Sequence, residues 1–182
     1  MVRLVELRAP VVHALAAADL TTANRNATIT LPPYFVGPAS IGVWQIRSRQ
    51  LEDDPTSAGW ITRAIFDPER SVTVGHAGYH GPPDTAGMVE VGYSVDPVYR
   101  RQGYARAALV ALLDRARRQP GVRSVRASIA PDNTASRQLV VQYGFVEVGE
   151  QWDDENGLET VFEVTVPALR PAQAQPRRSA ST

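Results

Sequence analysis

The apolar pattern of this chain changes period within one turn, and that change limits what it can fold into. Trp60–Phe66 (WITRAIF), Val72–Tyr79 (VTVGHAGY) and Met88–Val95 (MVEVGYSV) are short runs rich in β-branched and aromatic residues. Asp67–Arg70 separates the first pair and Gly81–Gly87 (GPPDTAG) the second, both linkers of hairpin length. The three runs therefore predict an antiparallel meander. Directly afterwards, Tyr99–Leu109 (YRRQGYARAAL) opens an alanine-rich helical pattern. Leu109, Leu112, Leu113 and Ala116 recur at i, i+3, i+4 and i+7, which puts one apolar stripe on a helix over Gly103–Gln119. Pro120-Gly121 stops it.

Val122–Ile129 alternates again as a strand. Asp132-Asn133-Thr134 clusters helix-capping residues before a short helix, Ala135–Gln142, closed by Gly144. Phe145–Gln151 and Thr160–Val166 read as two strands around the acidic turn WDDENGLE. Before the meander, residues 2–8 form a strand, Val11–Ala23 a helix, Asn24–Ile41 a turn-rich segment broken by Pro32-Pro33 and Gly37-Pro38, and Ile41–Leu51 a second helix. The fold class is mixed α/β (α+β) with one sheet, in one domain over residues 1–166. Pro167–Thr182 has almost nothing to place in a core and reads as a disordered tail.

Composition narrows the function. Lys+Arg and Asp+Glu are both 19 in 182 residues, so the chain lacks the excess charge of a general nucleic-acid or membrane-surface binder. There is no cysteine, which excludes disulfides, thiolate ligands and cysteine nucleophiles. No signal-peptide core and no apolar run of about 18 residues is present, so the expectation is a soluble cytoplasmic protein.

The helix entered through Gly103 poses the chemical question. The first N–H groups of a helix lack internal partners and carry the positive end of its dipole. A glycine there lets an anion approach closely, and Arg100 and Arg101 add positive charge. The turn suits a phosphate or pyrophosphate, or is a plain helix start. It is neither a Walker loop nor a dinucleotide fingerprint, since the lysine of one and the extra glycines of the other are missing.

Arg100-x-x-Gly103-x-Ala105, following Tyr93-Ser94-Val95-Asp96-Pro97, resembles the acetyl-CoA loop of the Gcn5-related N-acetyltransferases (GNAT). Asp132-Asn133-Thr134-Ala135-Ser136 with Tyr143-Gly144-Phe145 resembles that family's second signature, in the form found in the ribosomal-protein N-terminal acetyltransferase branch. The resemblance covers roughly residues 4–166. It implies a central, mostly antiparallel sheet flanked by helices, with one parallel strand pair that splays to admit the pantetheine arm of acetyl-CoA.

The same resemblance implies site roles. Backbone around Ser94 and Val95 would pair with pantetheine. The N–H groups of Arg101, Gln102, Gly103, Tyr104 and Ala105, with Arg100 nearby, would hold the pyrophosphate, and Asn133 would contact the pantetheine arm. Many relatives place a tyrosine four residues before the glycine of the Gly-Phe pair to assist the thiolate. Here that position is Val140, and in the branch resembled Ser136 takes the role.

Glu90, a strand carboxylate among apolar neighbours, is the candidate base. His80, Trp152 and Asp153 are candidate substrate contacts, and the acidic turn would favour a cationic amine. His76 and His80 stand about 13 Å apart on a strand, too far to share a metal ion, so no metal is expected. The implied activity is acetyl transfer from acetyl-CoA to a primary amine, either a small molecule or a protein N-terminus, by a monomer or homodimer. The alternative is a silent acyl-CoA-binding module of the same fold.

Overall fold

The computed structural model describes residues 1–153 and 157–166. In chain order the elements are β1 (Arg3–Val5), α1 (Ala9–Ala16), α2 (Leu20–Asn26), α3 (Pro38–Asp53), β2 (Arg63–Asp67), β3 (Val72–Tyr79) and β4 (Met88–Val95). There follow α4 (Tyr104–Arg117), β5 (Ser124–Ile129), α5 (Thr134–Gln142), β6 (Val146–Asp153) and β7 (Gly157–Thr165). Short 3-10 turns occupy Pro33–Val36, Pro55–Trp60 and Pro97–Tyr99. The proposed tail, Asp154 and Glu155 lie outside the described residues.

One seven-stranded sheet runs β1-β2-β3-β4-β5-β7-β6. Every neighbouring pair is antiparallel except β4 and β5. The expected meander is β2-β3-β4, and β3 and β4 keep the bounds read from the sequence. Successive residues of β2 show how the sheet is filled from both sides: Ala64 packs into one core and Ile65 into the other. One core is built with α4 and α5 and includes Val89, Val91, Leu109, Leu112 and Val140. The other is built with α1–α3 and includes Val12, Leu15, Phe35 and Trp44.

Two sequence expectations are corrected. The helix over Val11–Ala23 is in fact two. Ala18 turns into the left-handed region at φ 58, and the Asp19 carboxylate caps the second helix by accepting from Thr22 N at 2.9 Å. A run of alanines hides that break, because alanine favours helix on both sides of it. The strand expected from Trp60 starts at Arg63, since Pro55–Trp60 winds into a 3-10 turn. Trp60 instead packs on Tyr79, with the Arg115 guanidinium over its ring.

Candidate active site

β4 ends at Val95, two residues before Pro97, whose ring cannot continue a ladder, and the chain turns through Arg101 at φ 60 and Gly103 at φ 85 before α4 begins. Gly103 is the N-cap residue of α4 and no side chain caps that end. A Cβ built on Gly103 meets nothing within 4 Å. The glycine is thus required by its left-handed backbone, a physical reason that the sequence reading, based on close approach, did not contain. The uncapped N–H groups face a cleft of about 610 Å³ that Ser94, Val95, Gly103 and Ala105 help to line.

The polar side chains of this turn are largely committed elsewhere. Arg100 Nε donates to Val95 O at 3.0 Å. Gln102 accepts from Arg70 at 2.9 Å and donates to Val98 O at 3.3 Å. Tyr104 is buried, donating to Asp67 Oδ2 at 2.7 Å and accepting from Arg70 at 3.1 Å. That bond holds the Asp67 carboxyl below its ordinary value and raises the Tyr104 phenol. Gln102 and Tyr104 therefore offer a ligand their main chain, and the exposed arginines Arg100, Arg101 and Arg106 line the cleft beside it.

The parallel ladder is short. Met88, Val89 and Glu90 pair with Ser124, Val125 and Arg126, and there the pairing of β4 with β5 stops. Val91–Val95 still pair with β3 on their other side. Their β5-facing edge is left to a second cleft of about 220 Å³, lined by Gly92, Ser128 and Glu159 among others. Tyr93, Asn133 and Ser136 wall both clefts and so join them. Asn133 Oδ1 caps α5 by accepting from Ser136 N at 3.1 Å. The Ser94 and Tyr34 hydroxyls are 2.6 Å apart.

Four segments meet at the other end of the gap. Glu90 Oε1 is 3.8 Å from His80 Nδ1, and the Glu90 side chain keeps 19% of its exposure. Arg47 Nη1 donates to His80 O at 2.9 Å, so a guanidinium fixes the backbone beside the imidazole. Burial, then the Arg47 charge, lowers the His80 pKa against the pull of Glu90 and Asp153, and the ring is neutral at pH 7. His80 Nε2 covers Gly92, where a Cβ would lie 2.8 Å from it. Glu159 has its pKa raised, first by burial and then by the Asp153 and Glu90 charges, while a 3.2 Å bond from Gln151 acts the opposite way. Gln151 also donates to Ser128 Oγ at 2.9 Å.

Of the residues singled out in the sequence, the structure gathers Ser94, Val95, Gly103, Ala105, Asn133 and Ser136 along the joined clefts. Glu90, His80 and Asp153 interact at the other end, two carboxylates beside a neutral imidazole. Trp152 does not join them: it is 75% exposed and lines neither cleft. It is one residue from Gln151 on a strand, and the period of two turns it to the other face. Tyr93, Gln151 and Arg47 were missed. Tyr93 and Gln151 were absorbed into strand segments, and nothing local in the sequence ties Arg47 to a site. Glu159 was read only as part of the acidic turn that would favour a cationic amine, not as a proton acceptor.

A mixed sheet whose single parallel pair splays, closed at one end by a glycine-led helix, defines the GNAT class of acyl-CoA transferase fold. Residues 5–146 match the acetyltransferase (GNAT) domain family, and the chain belongs to that family of acetyl-CoA-dependent acetyltransferases. It is 33% identical over 87 residues to the uncharacterized N-acetyltransferase YjdG of Bacillus subtilis (strain 168), a match over 48% of this chain and half the length of that protein. It is 31% identical over 136 residues to the L-2,4-diaminobutyric acid acetyltransferase of Streptomyces coelicolor, covering 68% of this chain and 77% of that one. In fold it is similar to a ribosomal-protein-S5-alanine acetyltransferase from Vibrio fischeri, with a TM-score of 0.62, 19% identity, and 93% and 94% of the two chains covered. Among the described residues no group of three or more histidine or carboxylate side chains could hold a metal ion, and no helix is long and apolar enough to cross a membrane.

Proposed function

We propose that the joined clefts bind acetyl-CoA and that the chain acetylates a primary amine by direct transfer in a ternary complex. The observation that carries this reading is the unpaired edge of β4, which leads from the end of a three-pair ladder to the uncapped N-terminus of α4. The residues present fit such a donor. A backbone edge at Ser94 and Val95 suits an extended amide-bearing arm, and open N–H groups at a helix start suit a pyrophosphate. Arg101 adds charge at the same end, and Asn133 reaches the gap between them.

Acetyl-CoA supplies an activated acyl group as a thioester. The protein must bind the amine in its cationic form, remove a proton from it and hold it against the gap. Glu159 is suited to take that proton, because it lines the smaller cleft and its pKa is raised toward that of a useful base. Glu90, assigned that role from the sequence, faces His80 and shares the same electrostatic field, so it makes the entrance more negative. With Asp153 these carboxylates favour an acceptor that carries a further positive charge beyond the reacting amine. The likeness to a diaminobutyric acid acetyltransferase supports that direction.

Thiol release measured over a panel of amines, paired so that each member has a partner lacking the second charge, tests the proposal. Release of CoA is expected, with kcat/KM higher for the doubly charged member of each pair. Tight binding of acetyl-CoA with no thiol released from any amine would overturn it in favour of a silent acyl-CoA-binding module.

A further inference from the structure

One buried polar atom in the groove lacks a well-formed hydrogen bond. The Tyr93 hydroxyl finds no partner at hydrogen-bond geometry among the described residues, its polar neighbour being the Ser136 hydroxyl on α5, and Tyr93 walls both clefts. A buried donor without a partner costs stability, and native proteins retain few of them. Tyr93 sits on β4 opposite Ala77 of β3, three residues past the last pair that joins β4 to β5. Its neighbours at every second position, Val91 and Val95, belong to the core under α4 and α5, so its ring enters the same side of the sheet. From α5, Ser136 is the polar side chain that acts on it.

We propose that the Tyr93 hydroxyl donates a hydrogen bond to the thioester sulfur and to the thiolate that leaves, the role assigned from the sequence to Ser136. The inference rests on the acetyl-transfer reading above. On α5 the position from which a tyrosine usually reaches the sulfur is Val140, which is fully buried and supplies only packing. A phenol on the facing strand can reach the same gap from the opposite wall. Burial raises the Tyr93 pKa, so the oxygen keeps its proton at neutral pH and acts as a donor. An unperturbed phenol titrates near 10, far closer to a thiol near 8.5 than an aliphatic hydroxyl is, which makes it the better partner for a developing thiolate.

The step balances without another reactant. A C–N bond forms and the C–S bond breaks, with the electron pair of the broken bond left on sulfur. Glu159 takes one proton from the bound ammonium and passes it to solvent, and the nitrogen sheds a second as the amide forms. Tyr93 O–H holds the thiolate until that second proton, passed on through water, converts it to the thiol, so one proton is released overall.

The test compares CoA with desulfo-CoA, which lacks the sulfur, by calorimetry on the wild type, Tyr93→Phe and Ser136→Ala. The wild type is expected to bind CoA about 2- to 10-fold more tightly than desulfo-CoA, the size of one hydrogen bond. Tyr93→Phe should lose that preference while keeping its affinity for desulfo-CoA, whereas Ser136→Ala should keep the preference for CoA over desulfo-CoA. The free Tyr93→Phe protein should be as stable as the wild type or more so, because it loses an unpartnered buried hydroxyl. In turnover, kcat should fall on the order of 100-fold with the amine KM unchanged.

A Tyr93→Phe protein that still prefers CoA, or a clear loss of stability in its free form, overturns the assignment. A readout on the wild type needs no variant: CoA, and not desulfo-CoA, should perturb the tyrosine absorption band, and identical spectra would count against Tyr93. If neither compound binds the wild type, the acetyl-transfer reading itself fails, an outcome distinct from equal binding of both.

Discussion

The two ends of the gap between β4 and β5 are built from different materials. At the α4 end the recognition surface is main chain: a left-handed glycine, an uncapped helix and the free edge of a strand. The polar side chains nearby are mostly turned away into bonds with Val95 O, Arg70, Val98 O and Asp67. At the other end, recognition rests on side chains brought together from α3, the end of β3, β4 and the β6–β7 hairpin. A backbone site tolerates any side chain that keeps its geometry, whereas a side-chain site changes with each substitution. On the proposed reading, one fold can therefore hold its donor end constant while its acceptor end diverges.

The sharpest way to break this contrast is to change one end and measure at both. Glu159→Gln is expected to lower kcat by about 10²–10⁴-fold, the range of general base catalysis, with the acetyl-CoA Kd unchanged. Parallel calorimetry and initial rates would show it, and a shared loss would mean that the ends are not separable. Gly103→Glu should do the reverse at the donor end. Acetyl-CoA affinity should fall by about 100-fold or more, as when two charge-assisted hydrogen bonds of about 1.5–3 kcal/mol are lost. The fold should survive in circular dichroism with a cost of about 1 kcal/mol for a side chain at positive φ.

Away from the gap, on β3, His76 is buried against Phe35 and Trp44 and bonded to Ser40 Oγ, with its pKa pushed down to about 4 by burial and then by the Arg47 charge. Between that value and about 6.5 the unfolded chain binds the proton and the native protein does not, so stability falls as pH drops through this window. The loss is on the order of 3 kcal/mol by pH 4. Urea melts of the wild type against His76→Gln should show a flatter acid slope in the variant. At the acceptor end, Gly92→Ala would put a methyl against the His80 ring and displace it. An amine KM about 10-fold higher is expected, with acetyl-CoA binding intact. The smallest effect belongs to Trp152→Ala, which should move stability by less than about 0.5 kcal/mol, because the ring is exposed.

The same contrast explains what could be read in advance. β3, β4 and the α4 stripe were legible because local periodicity specifies them, and the Gly103 turn because a glycine and two arginines stand within a few positions of a helical pattern, although the left-handed backbone that requires the glycine was not. The break at Ala18 was hidden because propensity there has one sign and the tertiary packing another. Tyr93 was invisible for a subtler reason: strand alternation assigns it to a buried face, and nothing in the sequence says that its hydroxyl would find no partner there. Glu159 and Arg47 lie 112 residues apart in sequence, and only the sheet order brings their segments to one end of the gap.

The brevity of the β4–β5 ladder has a mechanical consequence. Strands β1–β4 and β5–β7 are two half-sheets fastened to each other by three residue pairs at one end, like a clothes-peg with its spring at Met88–Glu90. An extended ligand lying along Val91–Val95 would act as a brace between the jaws. Amide exchange along that edge and along Ala127–Ile129 would then slow on binding, while β2 and β3, already paired on both sides, would scarcely register the event.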